Sequence, residues 1–536
     1  MIYINRFFLG IFNQLRKFYL NSNFYDKKIS RIDNKNLIYK PSPHLLSSLI
    51  KYQKKKIKIE DFSLDEIWEN NNLNNKDYKN LNSFYWFFSL DLKSSKQTTH
   101  SVIKNWIKNN FKYKNKSWEF DVTAKRIIAW LSCHNLSYNE SDENYKKDFN
   151  KIIKKQANHL INEVNKSDLI DDKLIGCASI ILVGLCYQNE KNYLSFGSAL
   201  LKKISKLALD TYGFPKSRNI KQLIFYFKYY ILIREWFKES QLNIPEHINE
   251  TIYYLGQGYA FFFTNLSTDF LFNGNNNSNN NEFDNYLKRL GYKFKNDNQD
   301  FGGYIILRNK KICLTMDVGS TPNIKYTKDY QSGSLSFEII SNGKKLLSNC
   351  GYFKKSNNKL NQLSRSSAAQ NTLIIDDNSS CKFNKIKDSF FVKSGLKILK
   401  KSYVFEKNYW KINAAHDGYL KKYNSIHERV IEFYPEQMVF YGLDRIIKKK
   451  TNHSYKFDIR FHAEPNAKLM KTQDNKTILI ELYDEGWKFI SDNYDINIDN
   501  GLYFGNKNLY TENQNIFITG ISNKQIENIK WEIRKI

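Results

Sequence analysis

Several familiar catalytic arrangements are missing from this chain. Its six cysteines, Cys133, Cys177, Cys186, Cys313, Cys350 and Cys381, include no CxxC pair. Neither a zinc ribbon nor a thioredoxin-like site is therefore supported, and buried free thiols are expected, with one disulfide open to an exported protein. No GxGxxG or GxxxxGK[ST] run occurs, so nucleotide binding has no support. No Asp/Glu pair stands out as the acid and base of a hydrolase. What remains is a scatter of Tyr, His, Arg and Asn: Tyr212 and Ser217-Arg218-Asn219 in one loop, Asn158-His159 on a helix, Arg365 near Gln370 in a second loop. Such groups hold anions or move protons. Arg460 and His462 share the polar face of one strand, where a salt bridge with Glu428 or Glu464 would explain them equally well.

Charge points the same way without proving it. Lys plus Arg is 83 against 54 acids, a net +29, which favours an acidic partner. The cations are mostly Lys, spread along a chain crowded with Asn, Ile and Tyr, as a bias toward A/T-rich codons would produce. No basic motif stands out, so nucleic acid rests on charge alone and is not expected. No apolar run approaches the roughly 20 residues of a membrane-spanning helix. The N-terminal apolar patch is short and broken by Arg16 and Lys17, so a cleavable signal peptide is not expected either.

Two different periodicities position these residues. From about residue 80 to 270 the pattern is helical. In WEFDVTAKRIIAWL, Asp121 is placed to cap a helix whose Ile127, Ile128 and Leu131 share a face. LIGCASIILVGLCY and LIFYFKYYILIREWF are apolar almost all round, as for helices buried in a helical array. NGNNNSNNNE at 273–282 reads as a flexible loop. Beyond it, short alternating runs take over, such as SLSFEII and YKFDIRFH, where Tyr455, Phe457, Ile459 and Phe461 alternate with polar residues. Helices first and strands second predict an α+β multidomain chain: an N-terminal extension (1–75), a helical domain (76–292) and a large antiparallel β-sandwich (293–536).

DYQSGSLSFEIISNGKKLLSNCG, SRSSAAQNTLIIDDNSS, AAHDGY, HERV and RFHAEP together resemble the heparinase II/III-like family in order and spacing, and WEFDVTAKRIIAWL, KKQANHL and GFPKSRN resemble its helical landmarks. The resemblance covers residues 80–535. It implies an incomplete α/α toroid followed by the sandwich, polysaccharide lyase activity, and a periplasmic or cell-envelope location, with a cytoplasmic one left open by the N-terminus. Such a lyase cleaves a uronic-acid chain by β-elimination: the C6 carboxylate is neutralised, a base takes the C5 proton, and a donor protonates the leaving oxygen.

The resemblance also shows departures. Where the family has a His-x-His-x-Asp run before LSFE, this chain has Asp329, Gln331 and Gly333. Positions implied to hold zinc are Gln331, Asn349 and Gln370, and neutral amides are poor zinc ligands. No metal and no other cofactor is expected; the three amides should instead cluster as a hydrogen-bonded network. The family's usual Tyr position falls nearest Ile220, so Tyr212 in the same predicted loop, or His159, is the expected base; Asn158, Arg218 and Asn219 are expected to neutralise the carboxylate, and Gln331, Arg365 and Gln370 to contact substrate. His416, His427 and His462 are family landmarks expected to be structural. Two functions follow: a lyase of weak activity on an acidic polysaccharide, or a non-catalytic relative that binds such a glycan or assists its assembly in the cell envelope.

Overall fold

The computed structural model describes residues 12, 14–31, 36–47, 49, 68, 75–90, 96–167, 169–188, 191–263, 269–276, 281–355, 358–386, 389–449, 453–491, 493–506 and 509–536. Much of the N-terminal extension, including 1–11 and 51–67, lies outside these residues. The chain divides into two compact units. One takes 1–208, 225–253 and 280–293; the other takes 209–224, 254–279 and 294–536.

The first unit is a succession of helices, the α/α toroid of the sequence reading. Phe120–Ser132 is buried along nearly its whole length, Ile127, Ile128 and Leu131 included. Its N-cap is Glu119 without a side-chain bond; Asp121 sits inside the first turn and pairs with Lys125 at 3.1 Å instead of capping. Ile170–Cys186, buried all round from Leu174 onward, packs between this helix and Lys191–Ala208. Glycine permits that approach: a Cβ on Gly184 would fall 2.7 Å from the Leu194 backbone nitrogen. Arg126, fully buried, ties the helices together by donating to Gln156 Oε1 (3.0 Å) and to the carbonyls of Asn82 (2.8 Å) and Ser117 (2.9 Å).

The second unit is the antiparallel β-sandwich. A five-stranded meander runs from Asp300–Phe301 to Lys344–Leu347. An eight-stranded sheet has the order 468–471, 477–482, 485–490, 526–535, 439–448, 425–434, 410–416, 398–405, and a four-stranded sheet has the order 496–503, 511–522, 455–462, 373–375. Every pairing between these strands is antiparallel. Tyr455, Phe457, Ile459 and Phe461 enter one core with Trp410, Trp487 and Trp531, as their alternation requires. SLSFEII departs from simple alternation: its strand Phe337–Ser341 is buried on both faces, and Glu338 is accommodated by Lys345 at 3.2 Å.

The asparagine run is not a loose loop where it is described. Residues 273–276 are buried. Asn273 Nδ2 donates to Tyr304 Oη (2.7 Å) and Asp317 Oδ2 (2.9 Å), and Asn276 Nδ2 donates to the carbonyls of Tyr352 and Phe504, both at 2.6 Å. A carboxamide satisfies donors and acceptors alike, so low-complexity sequence here fills a polar core. Residues 277–280 lie outside the described set.

Candidate functional site

Two segments of the sandwich unit, 209–224 and 329–371, carry all the predicted site residues except Asn158 and His159, and a third, 269–276, contacts both. In the first, Asp210 Oδ1 accepts from the backbone nitrogens of Tyr212 and Phe214, both at 2.9 Å, and Gly213 turns with φ +76°. This closed turn holds Tyr212 out, 70% exposed. Arg218 follows with a left-handed φ of +60° and a buried side chain. Its guanidinium donates to Asp317 Oδ1 (2.6 Å) and to the carbonyls of Gly303 (2.8 Å), Gly319 (3.0 Å) and Gly302 (3.3 Å). Tyr304 packs beneath it with the ring centroid 4.7 Å away and donates its hydroxyl to the Arg218 carbonyl at 2.7 Å. Burial alone would lower the guanidinium pKa; the Asp317 carboxylate outweighs it and holds Arg218 above its usual range. The side chain meant for a substrate carboxylate thus already holds one of the protein's own.

Asn219 begins the helix Ile220–Glu239, its Oδ1 accepting from Lys221 N (2.8 Å) and Gln222 N (3.3 Å). Its Nδ2 faces the third segment: a Cβ on Gly274 would fall 2.6 Å from Asn219 Nδ2 and 2.9 Å from Asp329 Cβ. Glycine, at φ +84°, lets both side chains approach the backbone. Asp329 is half-buried, and its Oδ1 accepts from Tyr352 Oη at 3.0 Å. Tyr352 in turn accepts from Arg365 Nη2 (2.5 Å) and Asn361 Nδ2 (3.3 Å). Arg365 ends the short helix Lys359–Arg365, and not an open loop; its remaining donors go to Asn361 Oδ1 (2.9 Å) and the carbonyls of Tyr330 (3.1 Å) and Lys328. This Asp329–Tyr352–Arg365 chain escaped the sequence reading, although Tyr352 stands immediately after the segment DYQSGSLSFEIISNGKKLLSNCG.

Gln331 and Gln370 converge. Gln331 Oε1 accepts from Gly274 N (2.9 Å), while its Nε2 donates to the carbonyls of Ser364 (2.6 Å) and Gly351 (2.9 Å). Gln370 Nε2 donates to the same Ser364 carbonyl at 3.3 Å. Asn349 Oδ1 accepts from the Asn371 backbone nitrogen at 2.8 Å. These amides do not fit the zinc ion that the family resemblance implies. The Gln331 and Gln370 nitrogens point at carbonyls and the Gln331 and Asn349 oxygens at N–H groups, while Asn349 Nδ2 is buried without a partner; no amide atom offers the imidazole or carboxylate donor the metal favours. Among the described residues no group of three or more His, Cys, Asp or Glu is arranged to hold a metal.

A second buried polar line crosses the sandwich sheet. Asp444 accepts from Arg429 Nε (2.7 Å), His427 Nε2 (2.7 Å) and Trp531 Nε1 (2.9 Å). His416 Nδ1 accepts from Gly418 N at 3.0 Å, so its Nε2 carries the proton and faces His427 Nδ1 at 3.3 Å. Both rings are neutral with fixed tautomers, and burial pushes both pKa values down. His462 is likewise neutral, its Nε2 on the Ala368 carbonyl at 2.9 Å. Arg460 pairs with neither Glu428 nor Glu464 but with Asn515 Oδ1 (2.9 Å) and Asp499 (3.4 Å).

Asn158 and His159 belong to the toroid unit, on the helix Glu143–Glu163. Asn158 Nδ2 donates to the Ile29 carbonyl (2.9 Å) and its Oδ1 accepts from Tyr193 Oη (2.9 Å). His159 Nε2 faces the Trp118 carbonyl at 3.1 Å and therefore carries hydrogen, leaving Nδ1 to accept from Tyr25 Oη at 2.8 Å. Burial pushes this imidazole down to about 4.

Fold and motifs define the class. Residues 298–532 match the family model Heparinase II/III-like, C-terminal, and the chain resembles the heparinase II/III-like family. Among solved structures it is similar to a heparinase III gene product (13% identity, TM-score 0.69, covering 89% of this chain and 82% of that one) and to a heparinase III (15%, 0.68, 86% and 76%). It is also similar to the heparan sulfate lyase HepC from Pedobacter heparinus (11%, 0.65, 95% and 85%). At these identities the likeness is one of fold, a polysaccharide lyase fold of toroid and sandwich. No curated protein matches the chain.

Proposed function

We propose that this protein binds an acidic, uronic-acid-containing polysaccharide in the manner of its lyase fold, with β-elimination weak or lost. The observation that carries this reading is the Arg218–Asp317 pair at 2.6 Å, which occupies the guanidinium expected to neutralise the substrate carboxylate. Without that neutralisation the C5 proton stays weakly acidic, and Asn219 offers only a neutral donor. His159 has both nitrogens bonded within the protein, which leaves Tyr212, solvent-facing, as base. In the elimination the C5–H bond breaks with its proton passing to the ionised Tyr212 oxygen, which becomes the neutral phenol. The electron pair forms the C4–C5 double bond, the C4–O bond breaks, and the departing oxygen takes up a proton from solvent water at the exposed turn.

The net charge of +29 supports a polyanionic partner, and a periplasmic or cell-envelope location suits such a glycan. No described helix is long and apolar enough to cross a membrane. The internal use of Arg218, Arg365, Gln331 and Gln370 favours the non-catalytic member of the pair of readings, a protein that binds or helps to assemble an envelope polysaccharide. The test is a panel of acidic polysaccharides followed by absorbance of the unsaturated uronate, beside a binding assay. Binding with little or no turnover is expected. Fast turnover overturns the loss of catalysis, and affinity no greater than for neutral glycans overturns the polyanion assignment.

A further inference from the structure

The toroid unit contains a cavity of 340 Å³ whose walls include Arg16, Lys17, Tyr113, His159, Glu163 and Lys166. It lies at the C-terminal end of the helix Glu143–Glu163, against the helical residues 14–20. Its volume is at the small end of the ligand-pocket range of about 300–1,000 Å³, room for one or two sugar rings.

The charges in this cavity are unevenly satisfied. Glu163, 5% exposed, is held by Arg16 Nη2 and by Lys166 at 3.3 Å. Glu119, also in the wall, is held by Lys79. With both carboxylates engaged, the exposed Lys17 and the rest of the Arg16 fork leave the cavity positive. Arg16 Nε is buried with no hydrogen-bond partner, an omission folded proteins avoid. The Arg16 side chain remains 30% exposed beside its bond to Glu163, so the rest of the guanidinium is open to a second anion. His159 adds no charge: its proton is on Nε2, its Nδ1 accepts from Tyr25, and it serves as neutral wall. Half-buried Tyr113 packs on it with ring centroids 5.4 Å apart, and its hydroxyl donates to Asn115, also in the wall, at 3.2 Å. An aromatic face beside a cation is what an acidic sugar ring needs, apolar C–H face on the ring and anion on the guanidinium.

We infer that this cavity binds the anionic group, carboxylate or sulfate, of an acidic sugar unit through Arg16 and Lys17, with the sugar ring against Tyr113. The inference rests on the acidic-glycan reading above. It is tested by calorimetric titration of the full chain with a uronic-acid disaccharide, a sulfated disaccharide, a neutral disaccharide and inorganic sulfate. K17E alters an exposed side chain, R16K keeps the charge but removes Nε, and Y113A removes the ring; thermal melting checks that each is folded. K17E and R16K are each expected to weaken the acidic disaccharide at least tenfold and leave the neutral one unchanged, and Y113A to weaken the sugars but not inorganic sulfate. Whichever acidic disaccharide binds better identifies the anionic group. Wild-type binding that K17E and R16K leave intact overturns the cavity while the acidic-glycan reading stands. Inorganic sulfate binding as tightly as either disaccharide overturns the sugar assignment, and no acidic saccharide binding at all overturns both.

Discussion

Tyr352 donates its hydroxyl to Asp329 at 3.0 Å, while Arg365 and Asn361 both donate to that same oxygen. One phenol thereby fixes the half-buried carboxylate that stands at the first position of the altered histidine motif. Burial pushes the Tyr352 phenol far up, with Asp329 adding to the effect, so it remains a donor across the physiological range. Y352F removes one donor and one acceptor and leaves Arg365 Nη2, in a residue 3% exposed, with the Lys328 carbonyl as its one remaining partner. The expected loss is about 1–3 kcal/mol of stability, measured as a lower denaturant midpoint at unchanged slope.

Arg218 and Asp317 form a buried pair in which neither side chain exceeds 10% exposure. Truncation leaves the other charge uncompensated, so R218A is expected to cost about 3–5 kcal/mol. R218K should recover only part of this, because an ammonium cannot reach Asp317 and three carbonyls in one plane. Urea unfolding of the two variants checks the order. A melting curve for R218A equal to wild type would show the guanidinium free for substrate.

Much of this arrangement was legible in sequence where periodicity dominates. YKFDIRFH alternates and forms a strand with its apolar face in the core, and VTAKRIIAWL forms a buried helix. Composition misled at 273–276, because asparagine is frequent in loops and equally able to satisfy buried backbone groups. The partners of Arg218 were not legible: Asp317 is 99 residues away, and its approach depends on Gly303 and Gly319, where a Cβ would strike the guanidinium. Arg429 and Asp444 were hidden for a similar reason, since they meet only through the register of the strands Ser425–Tyr434 and Val439–Lys448.

Stability should fall on mild acidification. His159 and His462 are each pushed by burial from 6.5 to about 4. A lowered folded pKa means that the unfolded chain binds the extra proton first, so the contribution is complete above pH 6.5 and lost as pH falls toward 4. Each histidine contributes on the order of 3 kcal/mol across that window. Asp444, whose carboxyl burial would raise, is held low by Arg429 and His427, extending the loss to more acidic pH. Melting temperature measured from pH 7 to 4 should drop steadily, and H462Q, which retains a donor for the Ala368 carbonyl, should flatten the upper part of the curve. A flat wild-type profile contradicts the assignment.

The amide cluster makes a metal prediction. Gln331 alone bridges Gly274, Gly351 and Ser364, work that needs no ion. Chelator treatment is expected to leave the melting temperature unchanged, and elemental analysis should show no stoichiometric zinc. Q331A, by contrast, strands the Gly274 N–H and the Gly351 carbonyl, Gln370 still holding the Ser364 carbonyl, and should cost roughly 2–4 kcal/mol. Near-stoichiometric zinc that disappears in Q331A would reverse this account.

Tyr212 offers the sharpest separation between catalysis and binding. Its ring stands 70% exposed on a turn closed by Asp210, so Phe replaces it without disturbing the fold. Removing a positioned base typically costs about 10²–10⁴ in rate. If residual elimination runs through this phenol, Y212F abolishes the unsaturated-uronate signal while affinity for the polysaccharide stays within a few-fold of wild type. Y212A should then lose affinity as well, because the ring is gone along with the hydroxyl. Turnover in Y212F equal to wild type removes Tyr212 from the chemistry. An affinity lost equally in both variants would make the hydroxyl a binding group and not a base. The pair of substitutions therefore distinguishes proton transfer, ring contact and hydroxyl contact in one experiment, with the fold held constant by the Asp210 turn.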